Sequence, residues 1–343
     1  MAQNDIGIDL GTTTIIIAQE GKGVVLNEPS VVAINKDDGR LLSVGADAQA
    51  MLGRTPGNIV AIRPLREGVI SDYDMTERML KEFIRKVSGS FHHIFKPRVI
   101  ICVPSGITEV EERAVVDAGL QSGASHVYLI EEPVAAAIGA GIDITKPEGH
   151  MVVDIGGGTT DIAVLSLGGK VKATSVRVAG NHYDEEILKF VRNKFSIAIG
   201  QRTAENLKKN VACCPQKADF NETMEIKGRS LLTGLPVRVN VSTADLYEPV
   251  MRLSEQIGTA AHQVLEKTPP ELAGDIYRNG VVLTGGGAQL HGLPEYLSQE
   301  LKVEVTVSPD PVNCVALGTA MSLRLGDKLE TGFMDATPRM GRR

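Results

Sequence analysis

The sequence predicts an α/β protein of two duplicated domains, each a mixed sheet flanked by helices, with a binding cleft between them. Three observations carry this prediction. Short apolar runs rich in Val and Ile alternate with amphipathic stretches, the mark of strands and helices in alternating layers. Two strand–turn–strand units share one pattern, Ile8-Asp9-Leu10-Gly11-Thr12-Thr13 and Val153-Asp154-Ile155-Gly156-Gly157-Gly158-Thr159-Thr160. Their aspartates recur close to half a chain length apart, which assigns one copy of the unit to each domain.

The elements follow in order. Ile6 to Ile17 reads as strand, Gly/Thr turn and strand, because β-branched runs bracket the turn. Val31 to Ile34 and Leu41 to Val44 are further strands across the turn Lys36-Asp37-Asp38-Gly39. Met75, Met79, Phe83 and Val87 recur at helical spacing and place a helix in 71–87. Val99 to Val103 is a fully apolar strand, and the helix after it opens with Thr108 and Glu111 in capping-box spacing. Val127 to Ile130 is a strand that runs through Glu131-Glu132-Pro133 into an Ala-rich helix.

The second half repeats the scheme. Met151 to Val164 gives strand, Gly-rich turn and strand, and 183–195 and 246–265 read as amphipathic helices. Thr268-Pro269-Pro270 ends the longer helix. Val281 to Thr284 is a strand leading into Gly285-Gly286-Gly287. The last ten residues show no periodicity, which predicts a loose tail.

Composition narrows the function. The chain has 343 residues with 36 Lys+Arg against 42 Asp+Glu, a formal charge of −6, so it lacks the basic excess a nucleic-acid binder needs. Aromatic residues make up 4% and Trp is absent, which removes base-stacking platforms as well. No pair among Cys102, Cys213, Cys214 and Cys314 has C-x-x-C spacing, so the expectation is four buried thiols in a reducing compartment. Met1 to Asp5 is polar and lacks the basic and apolar regions of a secretory signal, and no run approaches the ~20 apolar residues of a bilayer span. A cytoplasmic chain is expected.

The repeated turns suit one chemistry. A polyphosphate needs backbone N–H groups brought close with no side chain in the way, and glycines in a tight turn provide them while Thr hydroxyls add donors. Gly11 to Thr14 and Gly156 to Thr160 can clamp one phosphate chain from opposite sides. Asp9 and Asp154 precede the turns, where a hydrated Mg²⁺ would be held by few carboxylates. A Gly-rich turn alone is only a turn; the repeated pair, each with its Asp, favours nucleotide binding. Other phosphate motifs are missing. Gly21-Lys22 is followed by Gly23 and Gly169-Lys170 by Val171, so there is no P-loop, and no G-x-G-x-x-G opens a helix.

With these loops stand Leu26-Asn27-Glu28-Pro29-Ser30, Gly53-Arg54-Thr55-Pro56-Gly57, Val103-Pro104-Ser105-Gly106, Ile130-Glu131-Glu132-Pro133, Leu283-Thr284-Gly285-Gly286-Gly287 and Val315-Ala316-Leu317-Gly318. Together they resemble the MreB/Mbl family of the actin-like ATPase superfamily, over roughly Asp5 to Leu325. The resemblance implies the actin-like fold, with domain I in 1–147 plus 318–343 (small subdomain about 33–65) and domain II in 148–317 (small subdomain about 181–241). It implies ATP or ADP with Mg²⁺ in the cleft, with Gly11, Thr12, Thr13 and Thr14 in the first phosphate loop and Gly156, Gly157, Gly158, Thr159 and Thr160 in the second. Gly285, Gly286, Gly287 and Ala288 would lie beside the adenosine, and Glu205, Asn206, Leu207 and Lys208 would contact ribose and adenine. Glu131 would position or activate the attacking water, leaving Glu132 as a charge favoured by the helix dipole.

The implied function is slow ATP hydrolysis coupled to assembly. Partners by resemblance are the chain itself in head-to-tail filaments, the inner face of the cytoplasmic membrane, and RodZ, MreC and MreD, with no nucleic acid. A small-molecule kinase on the same fold would need a base beside a sugar-like pocket, and a chaperone ATPase would continue into a substrate-binding domain. The chain departs from the family pattern at Thr13-Thr14, at Asp161 and around Lys209 to Cys214.

The segment Ser88 to Arg98 places Phe91, Ile94 and Phe95 among polar residues. Between Lys81 and Arg98 stand five cations, Lys81, Arg85, Lys86, Lys96 and Arg98, against the one anion Glu82. Apolar side chains framed by cations suit an anionic membrane surface, and with the resemblance the expectation is a membrane-inserting loop. His92 and His93 are adjacent, not spaced for a metal. A Phe91→Ser/Phe95→Ser variant is expected to lose most co-sedimentation with anionic liposomes; undiminished binding would refute insertion.

Overall fold

The computed structural model describes residues 5–54, 57–88, 96–214 and 220–337. The membrane-loop residues Phe91, Ile94 and Phe95 lie outside them. In the first half come β1 (Ile6–Leu10), β2 (Thr14–Gln19), β3 (Gly23–Pro29), β4 (Val32–Asn35), β5 (Leu41–Val44), α1 (Ala46–Met51), β6 (Ile59–Ile62), β7 (Leu65–Arg66), β8 (Val69–Ile70), α2 (Tyr73–Ser88), β9 (Arg98–Val103), α3 (Glu109–Gln121), β10 (His126–Glu131) and α4 (Glu132–Gly139). In the second come β11 (His150–Ile155), β12 (Thr160–Ser166), β13 (Gly169–Val176), α5 (Gly180–Phe195), β14 (Ile197–Ala198), α6 (Gln201–Asn210), β15 (Thr223–Ser230), β16 (Pro236–Ser242), α7 (Thr243–Glu266), α8 (Pro270–Asn279), β17 (Val281–Thr284), α9 (Leu293–Leu301), β18 (Val305–Val307), α10 (Cys314–Leu325) and β19 (Phe333–Asp335).

The duplication seen in the sequence is a duplication of topology. The first large sheet has the order β19-β10-β9-β1-β2-β3 and the second β13-β12-β11-β17-β18. In each, a three-stranded antiparallel meander continues into two parallel strands: β3-β2-β1 with β9 and β10, and β13-β12-β11 with β17 and β18. Two small sheets, β5-β4-β6 and β14-β15-β16, are attached one to each half.

Alternation along the strands decides which residues face the space between the halves. Ile6, Ile8 and Leu10 of β1 and Val99, Ile101 and Val103 of β9 enter the first core with Met79 and Phe83 of α2. Met151, Val153 and Ile155 of β11 enter the second core with Ile187 of α5 and Ile257 of α7. The intervening residues, Ile100 and Cys102 of β9, Val152 of β11 and Ala163 of β12, turn to a third, central cluster around α4. Asp9 shares its strand face with Gly7, and Asp154 shares its face with Val152. The same alternation that builds the cores therefore turns both aspartates toward the middle of the molecule.

Two helices fill that middle. α4 leaves the first sheet and packs on β11 and β12 of the second, while α10 leaves the second half and packs on β1, β2 and β9 of the first. They cross at small residues. A Cβ on Gly139 would collide with the Cys314 carbonyl, and one on Gly318 with the Ala135 carbonyl, so backbones touch directly. Capping boxes form at Thr108–Glu111 for α3, as the spacing predicts, and at Ser242–Asp245 for α7. The four cysteines are free and buried, also as expected.

One expectation needs correction. The predicted tail opens on ordered backbone, because Met334 and Asp335 belong to a strand, Phe333–Asp335, that pairs antiparallel with β10, and Phe333 stacks on Tyr128. A strand of three residues is too short to show a period. Among the described residues, no helix is long and apolar enough to cross a membrane. A Gly318→Val substitution is expected to destabilise the fold by about 3 kcal/mol or more, read as a lower denaturation midpoint; an unchanged midpoint would contradict the crossing.

Candidate functional site

Both glycine-rich turns lie at the same end of their sheets and meet. The Gly157 position is closed by the Thr13 side chain, and a Cβ on Gly158 would lie 2.5 Å from Thr12 Oγ1 and 3.0 Å from Glu67 Cα. The second turn therefore offers bare glycine backbone to the contact and the first turn its Thr12 and Thr13 hydroxyls, the donor types that suit a phosphate chain. Thr13 Oγ1 donates to Asn181 Oδ1 at 3.2 Å, and Asn181 N donates to the Gly157 carbonyl at 2.9 Å, joining the first turn to α5 beside the second. Thr160 Oγ1 is engaged internally with the Val178 carbonyl at 2.6 Å.

The third turn is held against the second. Gly285 has φ +80°, and a Cβ there or on Gly287 would collide with Ile155. Gly286 is open on its surface and Ala288 is buried. In α6, Leu207 is wholly buried in the second core, whereas Glu205 and Lys208 keep partial exposure and Asn206 is exposed. Lys208 Nζ is anchored on the Gly180 carbonyl and Asp184 Oδ1, both at 2.8 Å, and Glu205 pairs with Lys209 at 2.6 Å. Leu207 thus holds the helix in place, and the polar residues beside it border the cleft.

Beneath the turns stand four carboxylates. Asp154 and Asp161 are buried, while Asp9 and Glu132 keep partial access at the cleft floor. Burial and the facing Asp154 push Asp9 up to about 8. Asp154 is pushed up to about 7 by burial, opposed by the hydrogen bond from Thr284 Oγ1 at 2.6 Å. Burial and then Asp161, Asp154 and Asp9 raise Glu132 well above the usual carboxyl range. Asp161 is raised by burial, opposed by bonds from Ser105 N at 3.0 Å, from Glu132 and from Ser175 Oγ at 3.2 Å.

Such a cluster is unfavourable by itself and calls for a cation. Two lysines of the site are already engaged, Lys170 with Glu131 and Lys208 with Asp184. Among the described residues no group of three or more His, Cys, Asp or Glu is arranged to cage a metal. Two carboxylates, Asp9 and Asp154, at the strand ends that lead into the turns suit Mg²⁺, which keeps most of its waters.

The family model described as MreB/Mbl protein matches residues 3–331. This chain belongs to the MreB/Mbl family. It is 52% identical over 331 residues to the cell shape-determining protein Mbl of Bacillus subtilis, covering 96% of this chain and 98% of that one. It is 45% identical over 331 residues to the cell shape-determining protein MreB of Escherichia coli, covering 95% of each. The crystal structure of MreB 5 of Spiroplasma citri bound to AMPPNP superposes with a TM-score of 0.89 at 37% identity, covering 96% of this chain and 98% of that one. The actin-like fold expected from the sequence is therefore the fold observed.

Within this MreB/Mbl chain the two adjacent glutamates have different surroundings. Glu131 is gripped by Lys170 Nζ at 2.6 and 2.9 Å and by Ser105 Oγ at 2.7 Å. Glu132 is the one that reaches the cluster. A hairpin the sequence reading passed over also borders the loops: β7 and β8 present Glu67, at φ +49°, and Gly68, whose N–H donates to Thr12 Oγ1 at 2.8 Å. Its signal was Glu-Gly between Leu65-Arg66 and the apolar pair Val69-Ile70. Three of the cations flanking the segment expected to meet a membrane are paired, Arg85 with Glu82, Lys86 with Glu28 and Arg98 with Asp5.

The raised carboxyls set a pH dependence. Values of about 8 for Asp9 and about 7 for Asp154 lie above the ordinary 3.8, so folding favours their protonated forms. That contribution is present at low pH and is lost as pH rises toward 7–8. Without added nucleotide, the protein is expected to lose on the order of a few kcal/mol between about pH 4 and pH 8 through these two groups. Asp9→Asn should flatten the decline in melting temperature; an equal decline in the variant would contradict the assignment.

Proposed function

We propose that this chain is a cytoskeletal ATPase that binds ATP with Mg²⁺ between its duplicated halves and hydrolyses it slowly. It assembles head to tail into filaments on the inner face of the cytoplasmic membrane, where it directs cell-wall synthesis and rod shape. The observation that carries this reading is the contact of two glycine-rich turns above four inward-facing carboxylates, in a chain whose relatives are cell shape-determining proteins. A similar structure that holds AMPPNP supports the choice of nucleotide. The domain division, 1–147 plus 318–343 against 148–317, belongs to the same proposal, as do RodZ, MreC and MreD as partners.

The residues divide the work. Gly11 to Thr14 and Gly156 to Thr160 would hold the phosphates through backbone N–H groups, and Gly285 to Ala288 with Glu205 to Lys208 would flank the nucleoside. Asp9 and Asp154 would hold Mg²⁺ through its waters. The metal supplies positive charge against the carboxylates and the phosphoryl oxygens. Glu132 is the base of choice, because its carboxylate stands at the cluster while Glu131 is tied to Lys170. Glu132 would act in its ionised form, its raised proton affinity making it a strong base, and when it takes a proton from the attacking water Asp161 accepts a hydrogen bond from the resulting acid. The proton is thus stabilised where it lands, and the hydroxyl oxygen is free to bond to the terminal phosphorus as the bridging P–O bond breaks.

A positioned general base contributes ~10²–10⁴-fold. Glu132→Gln is expected to lower ATP turnover by that factor while ATP binding persists, read by phosphate release and by a fluorescent nucleotide. Normal turnover in a folded Glu132→Gln protein would remove the assignment. ATP-dependent pelleting tests assembly; phosphorylation of a small metabolite with no pelleting would overturn the cytoskeletal reading in favour of a kinase.

A further inference from the structure

The geometry points to Lys170 as a positioning residue that couples the approach of the two sheets to the placement of Glu132. This rests on the ATPase reading above. Lys170 is the second residue of β13 in the second sheet, whereas Glu131 closes β10 in the first, so their ion pair spans the halves. It is no surface ornament. Both glutamate oxygens lie within 2.9 Å of Nζ, and the side chains are only 28% and 22% exposed. Exposed pairs contribute little because water screens them and their side chains are free; this pair is withdrawn and doubly bonded.

The pair belongs to a ring of contacts. Ser105 Oγ donates to Glu131 at 2.7 Å, and Ser105 N donates to Asp161 Oδ1 at 3.0 Å. Asp161 in turn takes the proton-bearing bond from Glu132. The path therefore crosses from the second sheet to the first at Lys170–Glu131, returns at Ser105–Asp161, and ends on the residue next to Glu131. Glu131 also caps α4, of which Glu132 is the first residue, so moving one moves the other.

A single strap fixes both ends. Thr331 Oγ1 accepts from Lys170 N and the Gly332 carbonyl accepts from Glu131 N, each at 2.8 Å. A Cβ on Gly332 would stand 2.8 Å from Val134 Cγ2, so the strap lies directly on α4. If the lysine lets go of Glu131, the start of α4 is released and Glu132 loses its alignment, whereas the Thr12–Gly158 and Thr13–Gly157 contacts of the phosphate turns do not run through this pair.

The test uses the full chain with Mg·ATP. Misplacing a catalytic group by ~1 Å costs up to about 10²-fold. Lys170→Met is expected to lower kcat by about 10- to 100-fold with nucleotide Kd and melting temperature little changed. Glu131→Gln should lose a similar factor, the double variant should be no slower than the slower single, and Lys170→Arg should retain most of the rate. Wild-type kcat in Lys170→Met would overturn the coupling. So would a parallel loss of kcat and nucleotide affinity, additive losses in the double variant, or a loss that Lys170→Arg does not repair. The ATPase reading fails separately, if Glu132→Gln turns over normally. An inactive Glu132→Gln beside a fully active Lys170→Met removes only the coupling.

Discussion

Everything at the cleft depends on the backbone contact between α4 and α10. Gly139 and Gly318 let each helix approach the other's carbonyls, and the helices are exchanged between halves, each rooted in one sheet and lying on the other. That exchange brings the ends of β1 and β11 together. With larger residues at the crossing the sheets would stand apart, and the Thr12–Gly158 and Thr13–Gly157 contacts would open. Close packing thus converts two ordinary turns into one site.

The same geometry makes the site electrostatically costly. Period-two alternation, forced by the cores on the outer faces, turns Asp9 and Asp154 inward, and Asp161 and Glu132 join them. No rearrangement of one strand can relieve this without exposing its apolar residues, because a slip of one residue reverses every side chain. The protein carries the strain as raised carboxyl affinities for protons. Ligand charge can release it, so binding and stability are linked at the same four residues.

Much of this was legible in the sequence, for identifiable reasons. Local rules were sufficient for the hairpin repeat, the Thr108–Glu111 cap, the Thr268-Pro269-Pro270 stop and the buried cysteines. They were insufficient for features that need a partner far along the chain. The edge strand 333–335 exists because β10 offers it an edge, and the Glu67–Gly68 turn matters only because Thr12 and Gly158 lie over it. Leu207 belongs to the helix assigned to the nucleotide but faces the core. The adjacent glutamates were the hardest case. Counting by twos from Ile130, which faces the central cluster, selects Glu132 as the inward residue, but a strand-to-helix junction gives no warning of which count applies.

Duplication also explains why the two halves are not equivalent. Pairing places Asp9 opposite Ile16 and beside Cys102, and the matching position Asp154 opposite Asp161 and beside Thr284. Two substitutions in an otherwise repeated frame thus separate the halves. Thr284 donates to Asp154, which holds Asp154 nearer its ordinary value than Asp9. Asp161 gives Glu132 an acceptor, and through Ser105 it gives the ion pair of Glu131 and Lys170 a route into the cluster. The first half therefore contributes Glu131, Glu132 and Ser105 and the second half Asp161 and Lys170, so neither half forms the cluster alone. Under the proposed ATPase reading, hydrolysis would report on how the halves are set against one another, which is the property a filament subunit needs if nucleotide state is to control assembly.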